Sequence, residues 1–218
     1  MALPIVHLYV SNEIYNLGLK INDLSQFYLG VISPDAIHMR KENNRDDKNK
    51  VHFIPDGKKW MDINEIEYYD FITTFVRTNL NKTKMEFILG YGVHLLTDMH
   101  WFKEIWVDYV QKYTKDSSPI QDERSAYYND TDIIDQLLFN EIEWRKDIWE
   151  KLKNVECNDF LNILTCNEIE LWKERTLHWF DDKNFLNKHP IRYITESDIK
   201  KFVSKYSKQI YNGIKNIV

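Results

Sequence analysis

Cysteine, proline and glycine are scarce in this chain, at two, five and six among 218 residues. The two cysteines, Cys157 and Cys166, have no Cys-x-x-Cys partner, so they read as reduced thiols rather than a disulfide framework. An excess of basic residues is also missing. Lys and Arg number 29 against 34 Asp and Glu, a net charge of −5, which argues against a nucleic-acid polymer or a polybasic membrane patch as partner. No apolar run approaches the roughly 18–20 residues of a membrane span. The opening MALPIVHLYV lacks a positively charged start and its apolar run ends by Ser11, so neither signal peptide nor anchor is expected, and the cytoplasm is the expected location.

Helix formers fill the space these absences leave. Glu, Lys, Leu and Ile are frequent, apolar residues recur three and four apart, and strand-like alternation is rare, so the expected class is all-α. A hydrophobic content of 43% in 218 residues suits one sizeable core, and a single-domain multi-helix bundle over residues 1–218 is expected. The pattern predicts helices over 4–19, 64–79, 83–113, 131–153, 158–163 and 167–180, and an amphipathic helix from 195 opened by a Thr195/Asp198 capping box. The 83–113 helix is expected to start from an Asn/Thr cap, and 41–60 reads as a long polar loop. Pro34 interrupts the apolar run "FYLGVISPDAIHMR" and sets Asp35 on a turn or helix start.

The chemistry centres on "GYGVHLLTDMHW", residues 90–101. Four residues separate His94 from Asp98, so both point the same way from a helix and can clip a divalent cation such as zinc, iron or manganese. Chance or a hydrogen-bonded core pair is the commoner source of that spacing taken alone. His7 on the apolar first helix, Asp35 after the proline bend and His52 before an apolar pair each have a plain explanation too. Together they offer three more ligand-type side chains where the chain turns or enters the core, and buried charge is tolerable when it coordinates a cation.

Three segments, "IVHL", "FYLGVISPDA" with the later "VHF", and "GYGVHLLTDMHW", resemble the zinc-dependent phospholipase C family, all-helical phosphodiesterases of the phospholipase C/P1 nuclease type. The resemblance covers about the first half of the chain. It implies zinc, one to three ions, with Asp35, His52, His94 and Asp98 in one site and Asp98 bridging to a second ion held with His7. It also implies that Asp35 doubles as the catalytic group that orients or deprotonates the attacking water. The chain departs from the family in its start at Met1 and in lacking the later His-x-x-x-Glu clip, with Glu104, Asp130, Asp132 and Asp135 as replacement oxygen donors; the acidic run "YYNDTDIID" reads alternatively as a helix N-terminus decorated with favourable acids.

The expected activity is a metal-dependent hydrolysis of a small phosphoester, with no nucleic-acid polymer as substrate and no stable membrane anchoring. Arg40 is a candidate phosphate clamp, or a solvated loop arginine. His38, Tyr127 and Asp130 are further candidates for substrate contact. The alternative is a non-catalytic helical module that holds metal for structure or binds a partner; an HD-type phosphohydrolase lacks support because no His-Asp dipeptide occurs. In the C-terminal half Trp144, Trp149, Trp172 and Trp179 read as core, His178 as a hydrogen-bonded core histidine and His189 as exposed.

Overall fold

The computed structural model describes residues 2–81, 84–181 and 189–217. Helices dominate, and among the described residues the only strand-like pairing is an isolated bridge between Phe160 and Leu164. In chain order the helices are α1 (Pro4–Asn16), α2 (Leu24–Ile32), α3 (Arg45–Val51), α4 (Glu65–Asn79), α5 (Met85–Trp101), α6 (Val107–Lys115), α7 (Glu123–Glu141), α8 (Arg145–Asn154), α9 (Cys166–Leu177) and α10 (Glu196–Ile214). Two 3₁₀ segments, Ser33–Met39 and Trp60–Asp62, and a π-helical turn, Phe102–Trp106, join them. No described helix is long and apolar enough to cross a membrane.

Helix α5 is the axis. Every residue from Glu86 to Trp101 is buried, because α1, α2, α4 and α10 all pack on it. A helix that is covered on all sides can carry an apolar sequence without an amphipathic stripe, as "FILGYGVHLL" does. The closest of these contacts is with α2. A methyl group at Gly30 would lie 2.0 Å from the carbonyl oxygen of Phe87, and one at Gly90 would lie 2.1 Å from that of Phe27. Each helix thus gives up a side chain where the other's backbone passes, which no other residue type permits. His94 and Asp98 lie one and two turns beyond this crossing on α5, and α2 runs on into the 3₁₀ segment that carries Asp35.

Capping sets several helix boundaries. Asp23 caps α2, Asn44 and Asp47 form a reciprocal box at α3, Asp122 caps α7, and Thr195 with Asp198 forms the expected box at α10. Residues 41–60 are therefore not all loop, since the Asn44 box starts α3 inside them. Helix α1 stops at Asn16 rather than 19, where Gly18 takes a left-handed φ of +100°. The helix expected over 131–153 begins earlier, at Glu123, and breaks at Ile142, so the acids of "YYNDTDIID" lie inside α7 and not at its N-terminus. No helix forms over 158–163. Leu161 and Asn162 both take positive φ there, and the chain turns back through the Phe160–Leu164 bridge. The Asn/Thr cap expected for the 83–113 helix is not realised at Asn81, since α5 opens at Lys84 with no side-chain cap, and Thr83 lies outside the described residues.

The glycine crossing yields a direct expectation. Gly30→Ala or Gly90→Ala forces the two backbones apart and lowers stability by about 1–3 kcal/mol or more. Thermal denaturation should show a midpoint lower by about 2–4 °C per kcal/mol in a chain of this size. An unchanged midpoint for both variants would contradict the close approach.

Candidate metal centre

Five buried side chains from four separate segments meet beside the α2–α5 crossing. His7 comes from α1, Asp35 from the 3₁₀ segment, His52 from the residue that ends α3, and His94 and Asp98 from α5. Asp35, at 5%, is the most exposed of the five. The Asp98 carboxylate lies in the middle. Its Oδ1 is 3.4 Å from His7 Nε2, and its Oδ2 is 3.5 Å from His52 Nε2 and 3.6 Å from His94 Nε2. Asp35 Oδ1 stands 3.7 Å from His52 Nε2.

The backbone determines which way the imidazoles face. His94 Nδ1 lies 2.7 Å from the Val31 carbonyl and His52 Nδ1 lies 3.0 Å from that of Lys48. A carbonyl can only accept, so in both rings Nδ1 carries the hydrogen and donates it, leaving the Nε2 lone pair for the centre. That arrangement orients histidine ligands toward metals. The His7 and His94 rings stack with centroids 3.8 Å apart and planes 5° from parallel. His52 is held further by the Tyr68 hydroxyl, which donates to its carbonyl at 2.6 Å. The next residue, Phe53, takes a φ of +52°, a strained conformation for a bulky side chain. Its ring packs on Phe75 and Tyr91, which offsets that strain.

The centre is unsatisfied as it stands. Both ring nitrogens of His7, Nε2 of His52 and of His94, Oδ1 of Asp35 and Oδ2 of Asp98 are buried without a hydrogen-bond partner. Such groups each cost about 1–3 kcal/mol. The separations of 3.4–3.7 Å are too long for hydrogen bonds. They match the edge of a tetrahedron of ligands, about 3.4 Å when metal–ligand bonds are near 2.1 Å. His7, His94 and Asp98 form one group able to hold a cation, and Asp35, His52 and His94 form a second. The nitrogen and carboxylate donors fit zinc-type ions.

Charge follows the same logic. Burial pushes the Asp98 carboxyl up, but the attraction of the adjoining His7 and His94 rings outweighs it and holds the group well below the usual carboxylate range. Burial pushes His52 down to about 4, against the pull of Asp98 and Asp35, and lowers His7 as well. His94 moves up because Asp98, aided by Asp35, overcomes the effect of burial.

The other candidates divide. His38 reaches the rim, with Nε2 3.8 Å from Asp35 Oδ1 and 3.4 Å from Lys48 Nζ, and is 36% exposed at the side chain. Arg40 is not a free phosphate clamp. Its guanidinium donates to both carboxylate oxygens of Glu168, at 2.7 and 3.3 Å, and to the Ile163 carbonyl, which ties the 3₁₀ segment to α9. Asp130 is also engaged, accepting backbone N–H groups from Arg192, Tyr193 and Ile194 to pin the start of the last segment. A substrate role for Asp130 is corrected accordingly, because its oxygens already carry that strand of chain. Tyr127 accepts from the Trp101 indole at 2.7 Å and lines a separate cavity. Glu104 bonds Lys205 and Tyr206 and does not supply a ligand. His178 is exposed rather than in the core, paired with Asp181, and His189 is exposed as expected. Neither Gly30 nor Gly90 was identified by the chemistry of the motif, although a glycine within an apolar helical run was the available sign.

Arg40→Ala should separate structure from chemistry. It removes charge-assisted bonds worth about 1–2 kcal/mol after solvent screening, yet leaves the five candidate ligands intact. Burial raises the Glu168 carboxyl, but Arg40 wins and holds it below its usual value. This stabilisation is therefore present above the ordinary carboxylate range and is lost as pH falls through the lowered value. Acid titration of thermal stability should become shallower in the variant, with metal content unchanged. Compared with known proteins, the chain matches no described family, no curated protein and no solved structure.

Proposed function

We propose that this chain is a metal-dependent phosphoric ester hydrolase of the zinc-dependent phospholipase C type, acting in the cytoplasm on a small phosphoester. The observation that carries the reading is the convergence of His7, Asp35, His52, His94 and Asp98 with six of their buried nitrogen and oxygen atoms unpartnered. The order of these residues along the chain and the helical surroundings agree with the resemblance noted in the sequence.

His7, His52, His94, Asp35 and Asp98 would hold the ion or ions. When bound, zinc-type ions supply Lewis-acid stabilisation of phosphoryl oxygens and a water of lowered pKa. Asp35 takes the catalytic role, because it is the most exposed of the five and its Oδ1 has no hydrogen-bond partner, so it can accept the proton of the attacking water. The water oxygen forms the new bond to phosphorus, the bond to the ester oxygen breaks, and the leaving oxygen takes up a proton. His38, whose Nε2 lies 3.8 Å from Asp35 Oδ1, would donate a hydrogen bond to the substrate. Val31 and Lys48 carbonyls keep the two imidazoles in register throughout.

Near-complete burial of the five residues favours a second reading, a helical module that keeps metal for structure. An open coordination position distinguishes an enzyme from such a module. Elemental analysis of the purified chain, with turnover of bis(4-nitrophenyl) phosphate and 4-nitrophenyl phosphate, separates the two. The hydrolase reading expects stoichiometric transition metal, and loss of both metal and turnover in His94→Ala and Asp98→Ala beyond the about 10–100-fold typical of groups that only support a ligand. Chelation should lower the thermal midpoint of the parent chain but not of His94→Ala, since ligand binding to the native state alone stabilises it. Metal without turnover on any phosphoester leaves the structural module, and absence of metal removes both readings.

A further inference from the structure

A second cavity, of about 430 Å³, lies between the start of α3, the Trp60–Asp62 turn, the π-helical turn and the first turns of α7. Its size falls within the range of small-molecule sites, about 300–1,000 Å³. Its chemistry is unlike the rest of the molecule. Arg45, Lys59 and Arg124 line it, no acidic residue does, and the chain as a whole has a net charge of −5. All three cationic side chains are exposed, and none is in an ion pair with a described residue.

The remaining wall is aromatic. Trp60 and Phe102 face each other with ring planes 25° apart and centroids 6.4 Å apart, and Trp106 meets Tyr127 edge-on at 5.0 Å. The π-helical turn sets Phe102 and Trp106 side by side on this wall, and such turns recur at functional sites. Exposed Tyr128 carries the Arg124 guanidinium 5.8 Å above its ring. Exposed cations grouped without acidic partners repel one another weakly through solvent, and an anion with a flat apolar part would both relieve that repulsion and cover the aromatic wall.

We propose that this cavity binds a small planar aromatic anion, its ring against Trp60 and Trp106 and its charged group held by Arg45, Lys59 and Arg124. The ring supplies apolar contact and the three cations select for charge. This site is distinct from the candidate metal centre, since none of its lining residues is a candidate metal ligand; Tyr127, the one candidate for substrate contact among them, accepts a hydrogen bond from the Trp101 indole.

The test uses the intact chain as purified, and again after chelation, titrated with phenyl phosphate, benzoate, benzyl alcohol and inorganic phosphate. Heteronuclear NMR follows the indole N–H signals of Trp60 and Trp106, and calorimetry gives the affinity. Phenyl phosphate or benzoate should bind and shift both indole signals, and the stronger of the two identifies phosphate or carboxylate as the anionic group. Inorganic phosphate and benzyl alcohol should each bind at least about tenfold more weakly. The double variant Arg45→Ala/Arg124→Ala, at exposed positions that folding does not need, should weaken binding about tenfold or more, with partial recovery in Arg124→Lys. The proposal is overturned if no aromatic anion binds up to about 10 mM, if inorganic phosphate binds as well as phenyl phosphate, or if the double variant binds like the parent. It is equally overturned if binding requires metal and disappears in His94→Ala, because the anion then sits at the metal centre.

Discussion

The close passage of α2 against α5 is the constraint on which the rest of the structure depends. Gly30 and Gly90 let each backbone occupy the space that the other's side chain would need. At that distance the Val31 carbonyl reaches the His94 ring, and the hydrogen bond between them fixes the tautomer of a buried imidazole. The same approach brings the 3₁₀ segment with Asp35 over the same face of α5. Packing and site geometry are therefore one problem here, since a displacement of α2 moves a carbonyl, a carboxylate and an imidazole together.

Burying two carboxylates and three imidazoles is expensive, and the chain does not relieve that cost with internal hydrogen bonds. Asp98 takes one from the Ala2 backbone, at 3.1 Å, while its other oxygen is left to the histidines. Hydrogen bonds are spent instead on the outer edges of the rings, where carbonyls of Val31 and Lys48 orient them. The strained Phe53 and the Tyr68 bond to His52 serve the same orientation. Aimed lone pairs whose atoms are left unpaired are the feature that supports the proposed cation. Around it, polar residues such as Arg40 and Asp130 carry the mechanical work of fastening distant segments.

Much of this was legible in the order of residues. All-α character, most of the helices and the Thr195/Asp198 box follow from local propensity, periodicity and capping, which act over a turn or two of chain. The five ligand-type residues were recognisable by their type and by the one-turn spacing of His94 and Asp98. The helix expected at 158–163 was not realised because Leu161 and Asn162 turn into the left-handed region, an outcome local apolar content does not reveal. Arg40 and Asp130 were misassigned because their partners, Glu168 and the Arg192–Ile194 backbone, lie more than sixty or a hundred residues away.

By itself, then, the sequence determined the helical class, where many of the helices begin, and the supply of imidazole and carboxylate groups, since each is a matter of neighbours along the chain. Only the tertiary structure decided that those groups meet, which of their atoms remain unpaired, and that Arg45, Lys59 and Arg124 share one aromatic-lined cavity. The physical reason is that convergence depends on how closely backbones approach one another. Two hydrogen atoms in place of side chains, at Gly30 and Gly90, set that distance.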